Sequence, residues 1–277
     1  QAKVLVMNTK SLIKWTGSKR SQASEIASYF PSSDRYFEPF LGSGAILYFA
    51  TKHFKKCFAS DLYNPLISIW EFVKNNPTAF SENYKLNWNN LQSDFPDYYY
   101  KVRDRFNNVK NPVDLNFLMR TCVNGIVRFN KKGDFNNSLH VSRRGMKPHL
   151  YEKIVDEWHL LLKTVEFKSC DYTAILDHVT KGDFVYLDPP YFNSSNRYIE
   201  DLNYDKFLSF LEKLNSLGVM FALSFDGLRG NDNFSVTLPE ELYRTHKLIC
   251  NGHSAVKNVL SSEKTLVHES LYLNYSL

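Results

Sequence analysis

The sequence predicts an α/β fold: a doubly wound mixed sheet, interrupted by an inserted, mostly helical segment that carries a β-hairpin. Three observations predict it. Short apolar strand runs alternate with helical spacing up to about residue 71. The alternation then lapses over residues 72–160, which are rich in Asn, Tyr, Lys and Arg. It resumes near residue 165 and runs to the end of the chain. We therefore expect one discontinuous α/β domain over residues 7–71 and 161–277, with residues 72–160 as the insert. Residues 1–6, QAKVLV, precede Met7 and are left out of the expected domain.

Each element has a local reason. SQASEIASYF (21–30) reads as a short helix ended by Pro31. RYFEPF (35–40) reads as a strand running into LGSG (41–44), and AILYFATKHF (45–54) continues at helical spacing. KKCFASDLYNP (55–65) reads as a second strand ending at Asp61. In the insert, residues 75–108 read as helices with polar faces. Two turn points follow, Asn124-Gly125 and Lys132-Gly133, and the second reads as a hairpin tip between IVRFN and DFNNSLHV. Beyond the insert, VEFKSCDY, DFVYLDPPY, VMFALSFDG, HKLICNG and HESLYLNYSL read as strands. YDKFLSFLEKLNSLG (204–218) reads as a helix with Gly218 past its C-terminus. The last strand, ESLYLNY, reads as a structural edge strand of a final hairpin.

Composition narrows the function classes. The chain has 277 residues, 43% of them hydrophobic, enough for a sizeable core. Lys and Arg number 34 against 29 Asp and Glu, a net charge of +5, which fits an ordinary surface or a clustered polyanion site. Cys57, Cys122, Cys170 and Cys250 form no C-x-x-C pair and have no nearby His spacing, so neither a metal site nor a disulfide framework is expected. No apolar run is long enough to span a bilayer, and the N-terminal residues lack a signal-peptide pattern. A cytoplasmic protein is expected.

Two constellations carry chemistry. In EPFLGSG, Phe40 offers an apolar wall, and Gly42 and Gly44 let a ligand approach the backbone closely. Asp61 ends the next strand, about twenty residues on, where an acid accepts hydrogen bonds from ribose hydroxyls. By themselves the glycines also fit a structural turn, and Asp61 a helix N-cap; together they point to an adenosine-containing ligand.

The second constellation is DPPY. Asp188 should stand at the carboxyl edge of a buried strand. Pro189 and Pro190 lack N–H groups, so they present carbonyl oxygens without competing donors. An acid beside a proline carbonyl makes two acceptors, which suit one NH₂ group, and Tyr191 offers a face for a planar ring. An exocyclic amine held this way exposes its lone pair to an electrophilic methyl. Catalysis would rest on placement and electrostatics, with no covalent enzyme intermediate. A strand-ending turn is the bland alternative.

These residues resemble the Dam family of DNA N6-adenine methyltransferases, the alpha class. The resemblance rests on KWTGSK (14–19), FEPFLGSGAILYF (37–49), SDLYNPLI (60–67), NGIVRFNKKGDFN (124–136) and DPPYF (188–192), in that order. It implies a Rossmann-like catalytic domain with a target-recognition insert. It implies S-adenosylmethionine as methyl donor, with Trp15, Gly17 and Lys19 closing over it and Phe40, Gly42 and Gly44 beneath. Glu38 would partner the donor's charged methionine end and Asp61 its ribose, with Asp171 and Tyr172 near its adenine. Asp188, itself near the donor, would form the target pocket with Pro189, Pro190 and Tyr191, into which an adenine is flipped from duplex DNA. Ser224 and Phe225 would line that pocket, although Phe225 also reads as a core aromatic.

The insert would read DNA through Asn124, Arg128, Lys131, Lys132, Arg143, Arg144 and Lys147, with His140 and His149 among them. Arg128 occupies the arginine position of the family's NG-x-x-R-[YF]-N stretch and is the candidate for reading guanine. Where some members carry a duplex-wedging aromatic, this chain has Val123. The same stretch also fits a solvated loop. A cognate restriction endonuclease is a candidate functional counterpart, and a monomer or weak dimer is expected. The enzymatic alternative is an N4-cytosine or RNA-base methyltransferase; the alternative of another class is a non-catalytic nucleic-acid-binding protein with this fold.

Overall fold

The computed structural model describes residues 10–190, 202–225, 228–229, 232–233, 238–253 and 266–277. Helix α1 (Ala23–Ala27) leads to β1 (Arg35–Glu38), α2 (Leu47–His53), β2 (Lys56–Asp61) and α3 (Asn64–Asn75). Helices α4 (Pro77–Ser93), α5 (Asp97–Val109), α6 (Pro112–Thr121) and α7 (Pro148–Leu161) follow. The chain then forms β3 (Val165–Ser169), β4 (Phe184–Leu187), α8 (Tyr204–Ser216) and β5 (Met220–Phe225). The short β6 (Leu228–Arg229) and β7 (Asp232–Asn233) precede β8 (Thr245–His253) and β9 (Leu266–Leu273).

The main sheet runs β3-β2-β1-β4-β5-β9, parallel until the antiparallel β9. Strand β1 lies between β2 and β4, so the chain winds outward from it in both directions. That switch point opens a crevice beyond the carboxyl ends of β1 and β4, where ligands bind in such sheets. The FVYL run of β4 is apolar throughout because both faces are covered. Phe184 and Tyr186 join the core under α1–α3, whereas Val185 and Leu187 join the core under α8. Successive side chains of a strand point to opposite faces, so each strand feeds two cores.

Helix starts carry the expected chemistry. Asn76, Asn111 and Asn203 each accept a backbone N–H from the first turn, of Ala79, Val113 and Lys206. Pro77 and Pro112 follow two of these caps, where a missing N–H costs nothing. Gly218 (φ +68) ends α8 in the left-handed conformation.

Residues 72–160 are mostly helical, and α3 runs across residue 72 as one helix. Tyr151, Ile154, Val155 and Trp158 line one stripe of α7 and join the same core as Tyr36 and Phe184. Trp158 meets Trp70 of α3 at 4.9 Å between ring centroids. The bundle therefore shares its core with one face of the sheet. The hairpin is present in reduced form: Phe129 pairs with Phe135 and Cys122 with Leu139 in isolated antiparallel bridges, closed by Asn130 N–H donating to the Asp134 carbonyl at 2.8 Å.

One strand departs from expectation. ESLYLNY belongs to β9, which is not an edge: it lies between β5 and β8 and is buried from Glu269 to Tyr272. The outer position goes to β8, whose His246, Leu248 and Cys250 are exposed. A final antiparallel strand inserted between two others is paired along both sides, and sequence order conceals this.

Candidate active site

Three loops meet over the switch point. The segment leading into residues 14–19 is anchored on α6: the buried Arg120 guanidinium donates to the carbonyls of Ser11 and Leu12 and lies 4.2 Å from the Tyr151 ring centroid. Ser18 and Ser43 share a hydroxyl hydrogen bond of 2.7 Å, joining this loop to the glycine loop after β1. Thr16 donates to the Val127 carbonyl at 3.2 Å, joining it to the hairpin. A cavity of about 260 Å³ lies among them.

Asp61 is held at one corner. Its two oxygens accept the Gly42 and Tyr63 N–H groups, each at 3.0 Å. Burial pushes its carboxyl up, and these bonds act against that. It is no helix N-cap, since Tyr63 occupies that position of α3 without a side-chain cap. A carboxylate has about four acceptor sites, so acceptor capacity remains for a ligand. Gly42 (φ +48) lines the cavity, and a Cβ there would come within 3.2 Å of Trp15.

Phe40 and Tyr172 stack at 5.2 Å and form an apolar wall. Asp171 caps the short 3₁₀ turn at Tyr172–Asp177 through Thr173 N–H at 2.9 Å and lies 3.4 Å from Lys206 Nζ. Burial works to raise its carboxyl, but Thr173 and Lys206 prevail and hold it below its ordinary range.

Glu38, at the end of β1, is buried and accepts the Tyr36 hydroxyl at 2.7 Å. Burial pushes its carboxyl well above the ordinary range, and the nearby Asp188 and Asp61 add to the shift. Asp188 follows β4 at the floor. Lys19 Nζ lies 2.8 Å from its Oδ1 and 2.7 Å from Oε1 of Glu269 on β9. Burial and the Glu269 charge raise the Asp188 carboxyl, and Lys19 opposes them. Behind it, Tyr186 and Ser224 share a buried hydroxyl bond of 2.7 Å between β4 and β5. Acids thus outnumber the cavity's two lysines: Asp188 and Glu269 flank Lys19, Asp171 meets Lys206, and Glu38 and Asp61 stand nearby. Such a cavity favours a cationic ligand and a group with N–H donors.

The cavity brings together Trp15, Gly17, Lys19, Glu38, Phe40, Gly42, Asp61, Asp171, Tyr172, Asp188, Pro189 and Pro190. Gly44 is not among its lining residues; a Cβ there would sit 2.7 Å from the buried Trp70 ring, so its smallness serves packing. Tyr191 lies outside the described residues. Phe225 is buried in the core beneath α8, 6.4 Å from Phe207, which is the core-aromatic reading. Asn124 (φ +56), Arg128, Lys131, Lys132, Arg143, Arg144 and Lys147 are all exposed on the hairpin and the segment after it. Arg128 Nε donates to Asn136 at 3.0 Å, and Arg144 packs 4.1 Å over the Phe95 ring. His140 accepts the Ser142 and Arg143 N–H groups and so organises the basic loop, while His149 is exposed.

Sequence reasoning missed Glu269, Val127 and Phe129. The signal for Glu269 was a lone acid within the strand run LVHESLYL. Val127 and Phe129 line the cavity on either side of the exposed Arg128, as alternation in an extended segment requires. Among the described residues no group of His, Cys, Asp and Glu is placed to hold a metal, and no helix is long and apolar enough to cross a membrane.

A family model described as the D12 class N6 adenine-specific DNA methyltransferases matches residues 15–264. The type II methyltransferase M.MjaIII of Methanocaldococcus jannaschii is 32% identical over 255 residues, 79% of this chain and 84% of that protein. The type II methyltransferase M1.LlaDCHI of Lactococcus lactis is 27% identical over 292 residues, 97% of this chain and 96% of that protein. The DNA adenine methylase of Haemophilus influenzae is 30% identical over 190 residues, 66% of this chain and 64% of that protein.

Proposed function

The chain belongs to the D12 class of N6 adenine-specific DNA methyltransferases, and from that premise we propose how its cavity serves the reaction. The observation that carries the proposal is the union, in one cavity, of the Gly42–Asp61 corner with Asp188, Pro189 and Pro190. The first suits a nucleoside and the second an amine. Membership of that family favours adenine in DNA over the N4-cytosine, RNA-base and non-catalytic readings.

The donor we propose is S-adenosylmethionine. The residues present fit it: Asp61 would hold its ribose, the Phe40–Tyr172 wall its adenine, and Glu38 the ammonium of its methionine end. When bound, the donor supplies an electrophilic methyl group. Trp15, Gly17 and Lys19 lie in the loop that covers this space. Asp188 and the Pro189 carbonyl accept the two N–H bonds of the target amine, so its lone pair faces the methyl. The proline pair holds the acceptors in place because its φ angles are fixed. Tyr191 supplies the stacking face in this reading. The excess proton leaves only after transfer, when the nitrogen is cationic and acidic, and the adjacent carboxylate receives it.

Duplex DNA is the proposed substrate, with residues 72–160 as its recognition segment and the exposed basic residues from Arg128 to Lys147 as its contacts. Methylation of unmethylated genomic DNA by the purified protein, read by modification-sensitive single-molecule sequencing, tests the reading. N6-methyladenine in one short motif is expected. Donor binding without any mark on DNA would overturn it.

A further inference from the structure

We propose that Glu269 is a positioning residue for methyl transfer, acting on Asp188 through Lys19. The proposal rests on the reading of Asp188 as an acceptor for the target amine.

The geometry is a buried chain of three charged groups. Lys19 Nζ sits 2.8 Å from Asp188 and 2.7 Å from Glu269, and all three are largely withdrawn from water. An ammonium has three N–H bonds, and two of them are directed here at carboxylates from different strands. Asp188 follows β4 and Glu269 lies on β9, with β5 between them. No local sequence rule brings these residues together, and an acid in a strand interior is costly to bury.

The chemistry explains its presence. During transfer the amine lone pair forms the new N–C bond as the S–C bond breaks, and the S–C electron pair stays on sulfur. One positive charge moves from sulfur to nitrogen, and the nitrogen then gives a proton to Asp188. The reacting pair therefore carries +1 throughout the transfer. As a pair Asp188 and Lys19 sum to zero, so the two charges nearest the amine would cancel. Glu269 makes the sum −1, opposite to the moving charge, in a site where such charges are weakly screened. It also divides the ammonium between two carboxylates. Asp188 then remains a stronger acceptor than in an undivided ion pair.

Among the described residues, Glu38 from β1 and Tyr186 from β4 stand beside this chain, with Ser224 of β5 bonded to Tyr186 and with Tyr36 and Asp61 beside Glu38. None of these is a cation. Removing the Glu269 charge removes one of the causes that raise the Asp188 carboxyl. The acid limb of the rate profile, where Asp188 must be ionised, should therefore move to lower pH.

The test is steady-state kinetics of the full chain with unmethylated duplex DNA and S-adenosylmethionine, from about pH 5 to about pH 9. Glu269→Gln should lower plateau kcat about tenfold or more, leave both KM values within about threefold, and shift the acid limb downward. Glu269→Asp keeps the charge but draws it back, so kcat should fall about threefold with the limb unmoved. A Gln variant with wild-type kcat and an unmoved limb overturns the proposal. If the Gln variant does not fold, the Asp variant decides, and unchanged kcat there overturns it. Asp188→Ala, run alongside, separates the two readings: an active Ala variant would remove the acceptor role on which the proposal rests. An inactive Ala variant beside an unaffected Gln variant would remove the role of Glu269 only.

Discussion

Gly44→Ala should damage stability rather than donor binding. Gly44 has φ +66, and an added Cβ would sit 2.7 Å from both Cζ2 and Cη2 of Trp70. That ring cannot retreat easily. It is fully buried, stacks on Phe167 at 6.1 Å and meets Trp158 at 4.9 Å, and Trp158 is itself 3.6 Å from the new Cβ. Left-handed backbone costs a non-glycine residue roughly 1–2 kcal/mol. Overpacking a tight core costs about 1–3 kcal/mol more. The sum, ~2–5 kcal/mol, is a large share of the ~5–15 kcal/mol that holds a domain folded. Urea denaturation should show a lower midpoint with an unchanged slope. Adding Trp70→Phe removes the two clashing atoms, so the double variant should show a favourable coupling of about 1 kcal/mol or more relative to the sum of the single variants. Donor affinity of the folded Gly44→Ala protein should stay near wild type. A variant of normal stability with weakened donor binding would refute this reasoning and return Gly44 to the ligand.

Three other outcomes are expected. Asp188→Ala should abolish methylation with donor and DNA binding largely kept, because Lys19 retains Glu269 as a partner; near-normal turnover would sink the two-acceptor mechanism. Arg128→Ala should lose roughly 1–3 kcal/mol of discrimination at one base position, whereas Lys131→Ala should weaken all sequences alike and reduce the salt slope by about one; a uniform effect of the arginine in a binding assay would mark it as a phosphate contact. Glu38 is pushed above its ordinary range in the free protein, and a bound cation favours its ionised form, so donor binding should release a proton. Affinity should therefore rise with pH until Glu38 is already ionised, and calorimetry in buffers of different ionisation enthalpy would detect the released proton; an affinity independent of pH contradicts the assignment.

The relatives found by comparison agree with what the motifs implied, and the reason lies in how local those motifs are. FVYL is apolar at every position because a central parallel strand is covered on both faces. Gly42 lies in the loop after β1 and Asp61 ends β2, so their meeting follows from one β–α–β step. Asp188 and its prolines are neighbours in the chain. All of this was legible from the sequence, as were the helices begun by Asn76 and Asn203, whereas the helix begun by Asn111 was not read as one.

Other features had no local signature. Gly44 resembles Gly42 in sequence, yet one meets Trp70 and the other Trp15. Val127 and Phe129 flank an arginine in a basic stretch, and only the folded hairpin turns them into the cavity. Glu269 read as part of a structural strand, yet it meets Lys19 from the far end of the chain. By itself the sequence determined the elements, the donor corner and the amine-binding turn, because each depends on neighbours in the chain or on one crossover. The strand order, with β9 placed between β5 and β8, decided which charges face one another. That order is set by pairing and burial among residues distant in sequence, and periodicity along the chain carries no record of it.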